Sequence, residues 1–180
     1  MVPVIWIGAM AAALLDAFRY GIGGYLEIAQ EAHRRRPDLP GPIQELDRGM
    51  AAAVYETHDP NVLLRVTHVS TLGNELELLN HDRGVVRVWG LERLGEFVIT
   101  WKERVNPNVE WFLEREGQLE AARALLGLYD VSARQIRTLK RFPSTADLAE
   151  AIEDGLPTGD LDLHHNLGVT RDGKVVAYDL

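Results

Sequence analysis

Residues 160–166, Asp-Leu-Asp-Leu-His-His-Asn, place two carboxylates, two imidazoles and a carboxamide in one short run, and Asp179 adds a further acid downstream. Acids of this kind take up protons or hold cations, and an amide oxygen beside a carboxylate suits a hard cation such as Mg²⁺. The spacing becomes meaningful through Asp172-Gly173, a two-residue hairpin signal. A turn centred there sets Arg171 against Lys174, Thr170 against Val175 and Gly168 against Ala177. Asn166 then falls directly opposite Asp179, with Cβ atoms ~5 Å apart on one face. Gly168, Thr170, Val175 and Ala177 floor that face, while Leu167, Val169, Val176 and Tyr178 form the apolar one. The plain alternative is that Asn166 and Asp179 end the hairpin in water.

The whole chain must supply elements that position this ribbon. It has 180 residues, enough for one domain or two small lobes, with 46% apolar and 26% charged residues. A net charge of -8 argues against a broad nucleic-acid surface, which needs clustered Lys and Arg. Absence of cysteine excludes disulfides and thiolate metal sites, and is compatible with a cytoplasmic location. The apolar run from Val2 to Leu15 is broken by Asp16 and Arg19. It falls short of the ~20 residues that span a bilayer, so a packed helix rather than a membrane segment is expected.

A second helix is expected from about Tyr25 to Arg36, ended by Pro37 and Pro40. Strands follow over 43–66, with the turn-rich His58-Asp59-Pro60-Asn61 between two apolar runs. A short helix after Ser70, its candidate cap, carries Glu75 and Glu77. Two strands are read at 85–91 and 96–102. From Asn108 the periodicity is helical, with Ser144 or Thr145 as one N-cap and Gly155 as its stop. Strands and helices are segregated, which points to an α+β fold.

With the elements in this order, Asp162-Leu163-His164 followed by Asn166, a strand, and Val175–Asp179 resembles the catalytic loop and metal-binding hairpin of protein-kinase-like phosphotransferases. In that pattern an acid precedes the Asn by five residues. Here Asp162 lies four before it and Asp160 six, so the catalytic acid is Asp162, at the head of the string, or Asp160. Residues 46–54 are similar to a Gly-rich loop that keeps Gly49 of three glycines. Arg65 stands where the family has its nucleotide-binding Lys, with Glu77, or Glu75, as its helix partner.

The resemblance implies a bilobal kinase-like core. An N-terminal helical extension would cover 1–40, a β-rich lobe 41–105, and a helical lobe 106–180. It implies ATP and Mg²⁺ as cofactors, the metal held by Asn166 and Asp179 and the adenine by backbone near Glu103–Val105. With the sequence ending one residue after Asp179, it implies a minimal core, and a nucleotide and a partner protein as binding partners. Three further readings stand beside it. The fold could serve as a pseudokinase-type binding module. The acids and histidines could form a hydrolase metal site. The apolar N-terminal helix could dock a partner or a membrane.

Overall fold

Burial alternates residue by residue over 52–57 and 62–66, the period that buries one face of a sheet, while the run from Phe97 to Lys102 is buried on both faces. The computed structural model describes residues 24–48 and 52–179, and those residues realise the pattern as an antiparallel sheet followed by helices. The strands are β1 (Pro42–Arg48), β2 (Ala52–Thr57), β3 (Val62–His68), β4 (Val88–Leu94) and β5 (Phe97–Glu103). They lie in the order β1-β2-β3-β5-β4. The helices are α1 (24–35), α2 (Leu72–Leu79), α3 (Val109–Arg115), α4 (Leu119–Leu125), α5 (Ala133–Leu139) and α6 (Ala146–Glu153). A separate ribbon, β6 (Leu167–Val169) with β7 (Val175–Ala177), closes the chain. The segregation makes the fold α+β. No helix among the described residues is long and apolar enough to cross a membrane. The apolar run at Val2–Leu15 lies outside them.

The chain divides into two compact units, one of residues up to Gly73 with Val88–Arg104, the other of Asn74–Arg87 with Val105 onward. In the first, Ala53, Tyr55, Leu64, Val66, Ile99 and Trp101 form one sheet face, and Tyr25, Ala29 and Ala32 of α1 complete its core. The Trp101 indole N–H donates to the Pro40 carbonyl at 3.0 Å, so the largest core side chain is also hydrogen-bonded. The arginines at the end of α1 are paired locally, Arg34 and Arg35 with Glu31 and Arg36 with Asp38.

The second unit rests on caps and small residues. Ser132 begins α5 with a reciprocal capping box to Gln135, two orphan N–H groups satisfied at once. The expected cap of α6 is different. Thr145 holds the N-cap position, but its hydroxyl donates to the Leu139 carbonyl at 2.7 Å and makes no cap bond. Gly155 does stop that helix. At φ 102° it donates to the Ile152 carbonyl while Leu156 donates to Ala151, a Schellman closure. Ser70 does not cap α2; it lies in a 3-10 turn whose N-cap is His68. The β4 strand begins at Val88 rather than 85, because Val85 forms a parallel bridge with Ala177.

Candidate functional site

The loop before the closing ribbon is pinned by its leucines. Leu161, Leu163 and Leu167 are buried in the helical core, so the residues between them are turned outward or against the backbone. Asp162 and His165 exchange backbone hydrogen bonds at 3.1 and 3.0 Å, a bridge that folds the loop on itself. Asn166 leaves this bridge with φ 60°, a left-handed conformation that Asn tolerates better than most residues. Its side-chain N–H donates to the Asp160 carbonyl at 3.1 Å. That bond uses the amide nitrogen and turns Asn166 Oδ1 into the group left to accept or coordinate.

The two candidate acids are thereby separated in role. Asp162 Oδ2 accepts from the Gly127 N–H at 3.1 Å and Oδ1 from the His164 N–H at 3.2 Å. Burial pushes its carboxyl toward the protonated form. The two backbone N–H groups and the neighbouring imidazoles outweigh that and hold it below the ordinary aspartate value. Asp162 thus ties the loop to the turn after α4. Asp160 is exposed and offers its carboxylate outward. The rings of His164 and His165 are exposed, and His164 acts in the loop through its backbone N–H.

The ribbon turns differently from the two-residue expectation. Leu167 pairs with Ala177, Gly168 with Val176 and Val169 with Val175. Thr170 donates to the Lys174 carbonyl at 2.8 Å, leaving Arg171-Asp172-Gly173 as a three-residue loop with Gly173 at φ 80°. This is the type I turn with a left-handed glycine, the next commonest hairpin closure. The Thr170 hydroxyl favours it by donating to Asp172 Oδ1 and accepting from the Lys174 N–H at 3.0 Å. The register moves by one residue in consequence. Asn166 accepts from the Tyr178 N–H at 2.9 Å, so it lies opposite Tyr178 and not opposite Asp179. The ladder ends at Ala177, and half-buried Asp179 follows beyond it.

The segment expected to take adenine also has a defined setting. Glu103 ends β5 opposite Val62, and Arg104 donates to Asn61 at 2.7 Å. Asn106 and Val169 exchange two bonds at 2.9 and 2.8 Å. Between them Val105 makes no backbone hydrogen bond among the described residues. Its side chain lies where a Cβ on Gly168 would come within 2.3 Å, so only glycine fits beneath it.

Arg65 stands at the centre of the sheet, opposite Val54 on one side and Thr100 on the other. It is therefore not a charge on a strand edge. Its face is the one away from α1, and the register puts Thr67, Thr100 and Lys102 on that same face. Thr100 is fully buried and Lys102 is 6% exposed. A buried lysine two residues along from the one opposite Arg65 was not singled out from the sequence, where it read as one position in an apolar strand. On α2, Glu75 is buried to 1% exposure. Glu77 is half-exposed and engaged locally, 3.4 Å from His81 and accepting from Asn80 at 3.3 Å. Burial therefore marks Glu75, not Glu77, as the unusual acid of that helix. Gly49 lies outside the described residues.

No protein-family model matches the chain, and no curated protein sequence matches it.

The chemistry of the loop can be stated from its donors. No group of three or more His, Asp or Glu side chains among the described residues is arranged to hold a metal ion. The hydrolase reading, which needs such a group, has no support there. Asn166 Oδ1 and the Asp179 carboxylate are hard oxygen donors. Mg²⁺ commonly takes only one or two carboxylate ligands and completes its shell with water and phosphate.

Proposed function

We propose that the chain is a kinase-like phosphotransferase using ATP and Mg²⁺. The observation that carries the reading is the bond from the Asn166 amide to the Asp160 carbonyl, on a loop that leads directly into a short ribbon ending at Ala177, two residues before Asp179. In this proposal Asp160 is the acid that orients or deprotonates the acceptor hydroxyl. Asp162 positions the loop. Asn166 and Asp179 supply oxygens to the metal, whose charge would offset that of the phosphates. Arg65, with Lys102 on the same sheet face, steadies phosphate oxygens in the first unit. The unpaired backbone of Val105 is the group offered to adenine. Phosphoryl transfer asks little else of a protein than such alignment and charge.

A second reading has its own support. Asp162, which heads the kinase-like string, is spent on backbone N–H groups, and an Arg replaces the expected Lys. A module that binds nucleotide without transferring phosphate fits those two facts. Thermal unfolding with and without ATP and Mg²⁺ tests the common part. A ligand at 100 times its Kd stabilises the native state by about 2.7 kcal/mol. The expected result is a Mg²⁺-dependent rise in Tm that Asp179→Ala reduces. No rise at millimolar ATP overturns both readings. A rise without ATP turnover leaves the second.

A further inference from the structure

The second unit holds a basic cleft that the phosphotransferase reading does not use. Glu120, Arg123 and Ala124 recur at helical spacing on α4, and Arg134, Thr138 and Arg141 do so along and just beyond α5. These two stripes line a cleft of about 510 Å³. Ala124 is buried and forms its floor. Gln135 fixes the walls. Its amide N–H groups donate to the carbonyls of Ala124 at 3.2 Å and Leu126 at 3.1 Å, at the end of α4. Its oxygen accepts from the Ser132 N–H at 2.9 Å, at the start of α5. One side chain thus joins both helices, and the cleft is preorganised.

Its charge runs against that of the chain. The lining has three arginines and one glutamate, in a protein with 27 acids and 19 bases. Arg141 is paired with Glu120 at 2.9 Å. Arg123 and Arg134 are exposed and make no ion pair among the described residues. The Thr138 hydroxyl donates to the Arg134 carbonyl at 3.0 Å and does not occupy the guanidinium. Two forked cations opening on one cleft match a tetrahedral dianion, whose oxygens accept bidentate bonds from Arg. Two exposed leucines lie nearby in the chain: Leu119, 48% exposed, one turn before Arg123 on α4, and Leu126, 46% exposed, the extended residue that follows the helix. A free anion has no use for them, whereas a peptide carrying the anion does.

We propose that this cleft binds a phosphorylated serine side chain in a partner protein, with Arg123 and Arg134 holding the phosphate and Leu119 and Leu126 contacting flanking apolar residues. The proposal does not depend on nucleotide binding. The test is fluorescence anisotropy with the full chain and a peptide library of fixed phosphoserine and randomised flanks, against the same library with serine. Binding at least tenfold tighter for the phosphorylated library is expected, falling as salt is raised. Arg123→Gln and Arg134→Gln should each weaken it at least tenfold. Neither should move Tm or the ATP-dependent Tm shift, since both side chains are exposed. Equal binding of the two libraries, no binding of either, or binding indifferent to both substitutions overturns the proposal. So does inorganic phosphate binding as tightly as the phosphopeptides, which would leave the leucines without a role. Arginine-dependent binding to phosphatidylserine vesicles in place of the peptides would assign the cleft to a lipid surface and equally overturn it.

Discussion

The sheet unit and the helical unit solve the same problem by different means. The first buries one sheet face under α1 with large side chains, Trp101, Tyr55, Phe97 and Leu64 among them. Its opposite face keeps Arg65, Thr67, Thr100 and Lys102. The second packs helices of seven or eight residues around Leu and Ala, and depends on termini: a capping box at Ser132, a Schellman closure at Gly155, and a carboxylate strap from Asp162 to Gly127. Helices this short are not stable alone in water, so caps and tertiary packing must hold them. The contrast shows where polar groups do structural work. In the sheet the charged residues are set on one face by strand register. In the helical unit many polar groups are already consumed by backbone.

The largest expected effect lies in the two cores. Trp101→Ala should cost about 3–5 kcal/mol and Leu148→Ala about 2–5 kcal/mol, since both side chains are fully buried. Urea unfolding measures both. A cost below 1 kcal/mol for either would mean that its core collapses around the gap and that the contrast in packing is not real.

The next effect separates the two acids. Asp162→Asn should destabilise by about 1–2 kcal/mol at pH 7, because it weakens charge-assisted bonds to two backbone N–H groups. Asp160→Asn should leave stability unchanged and remove any phosphate transfer. The Asp162 carboxyl titrates lower in the folded chain than in the unfolded one. Its contribution is therefore fully present above the unfolded-state value and is lost as pH falls through the lower folded-state value. Asp162→Asn should accordingly flatten the acid limb of the stability curve. A flat limb in the parent protein, or equal destabilisation by both substitutions, would return Asp162 to the catalytic candidates.

The smallest effect tests the reliance on caps. Ser132→Ala should cost about 1 kcal/mol by thermal or urea unfolding. The same variant removes the hydroxyl bond to Gln135 Oε1 while keeping the one from the backbone N–H, so it should also weaken phosphopeptide binding slightly. A neutral result would place the strength of α5 in its packing through Ile136 and Leu139 instead.

Much of the architecture was determined locally. Period-two burial in β2 and β3, the near-continuous apolar run of β5, helical spacing after Asn108, and the stop at Gly155 are carried by residues near in sequence, and they recur in the folded chain. The candidate loop was legible as a string of acids, histidines and Asn166. Its internal assignments were not. Asp160 and Asp162 differ only in which backbone N–H groups come near, and Gly127 lies 35 residues away. Glu75 and Glu77 differ in burial, a property of what packs on α2. The hairpin shows how small the missing information can be. Asp-Gly suits two closures, and the Thr170 hydroxyl selects the longer one, which moves Asn166 from opposite Asp179 to opposite Tyr178. Lys102 became visible only when register set it on the face of Arg65. Composition and periodicity act over a few residues and so decide which elements form. Which acid is strapped down, which cation is buried and which guanidinium opens on a cleft depends on bonds between residues far apart in the chain, and only the folded structure decides those.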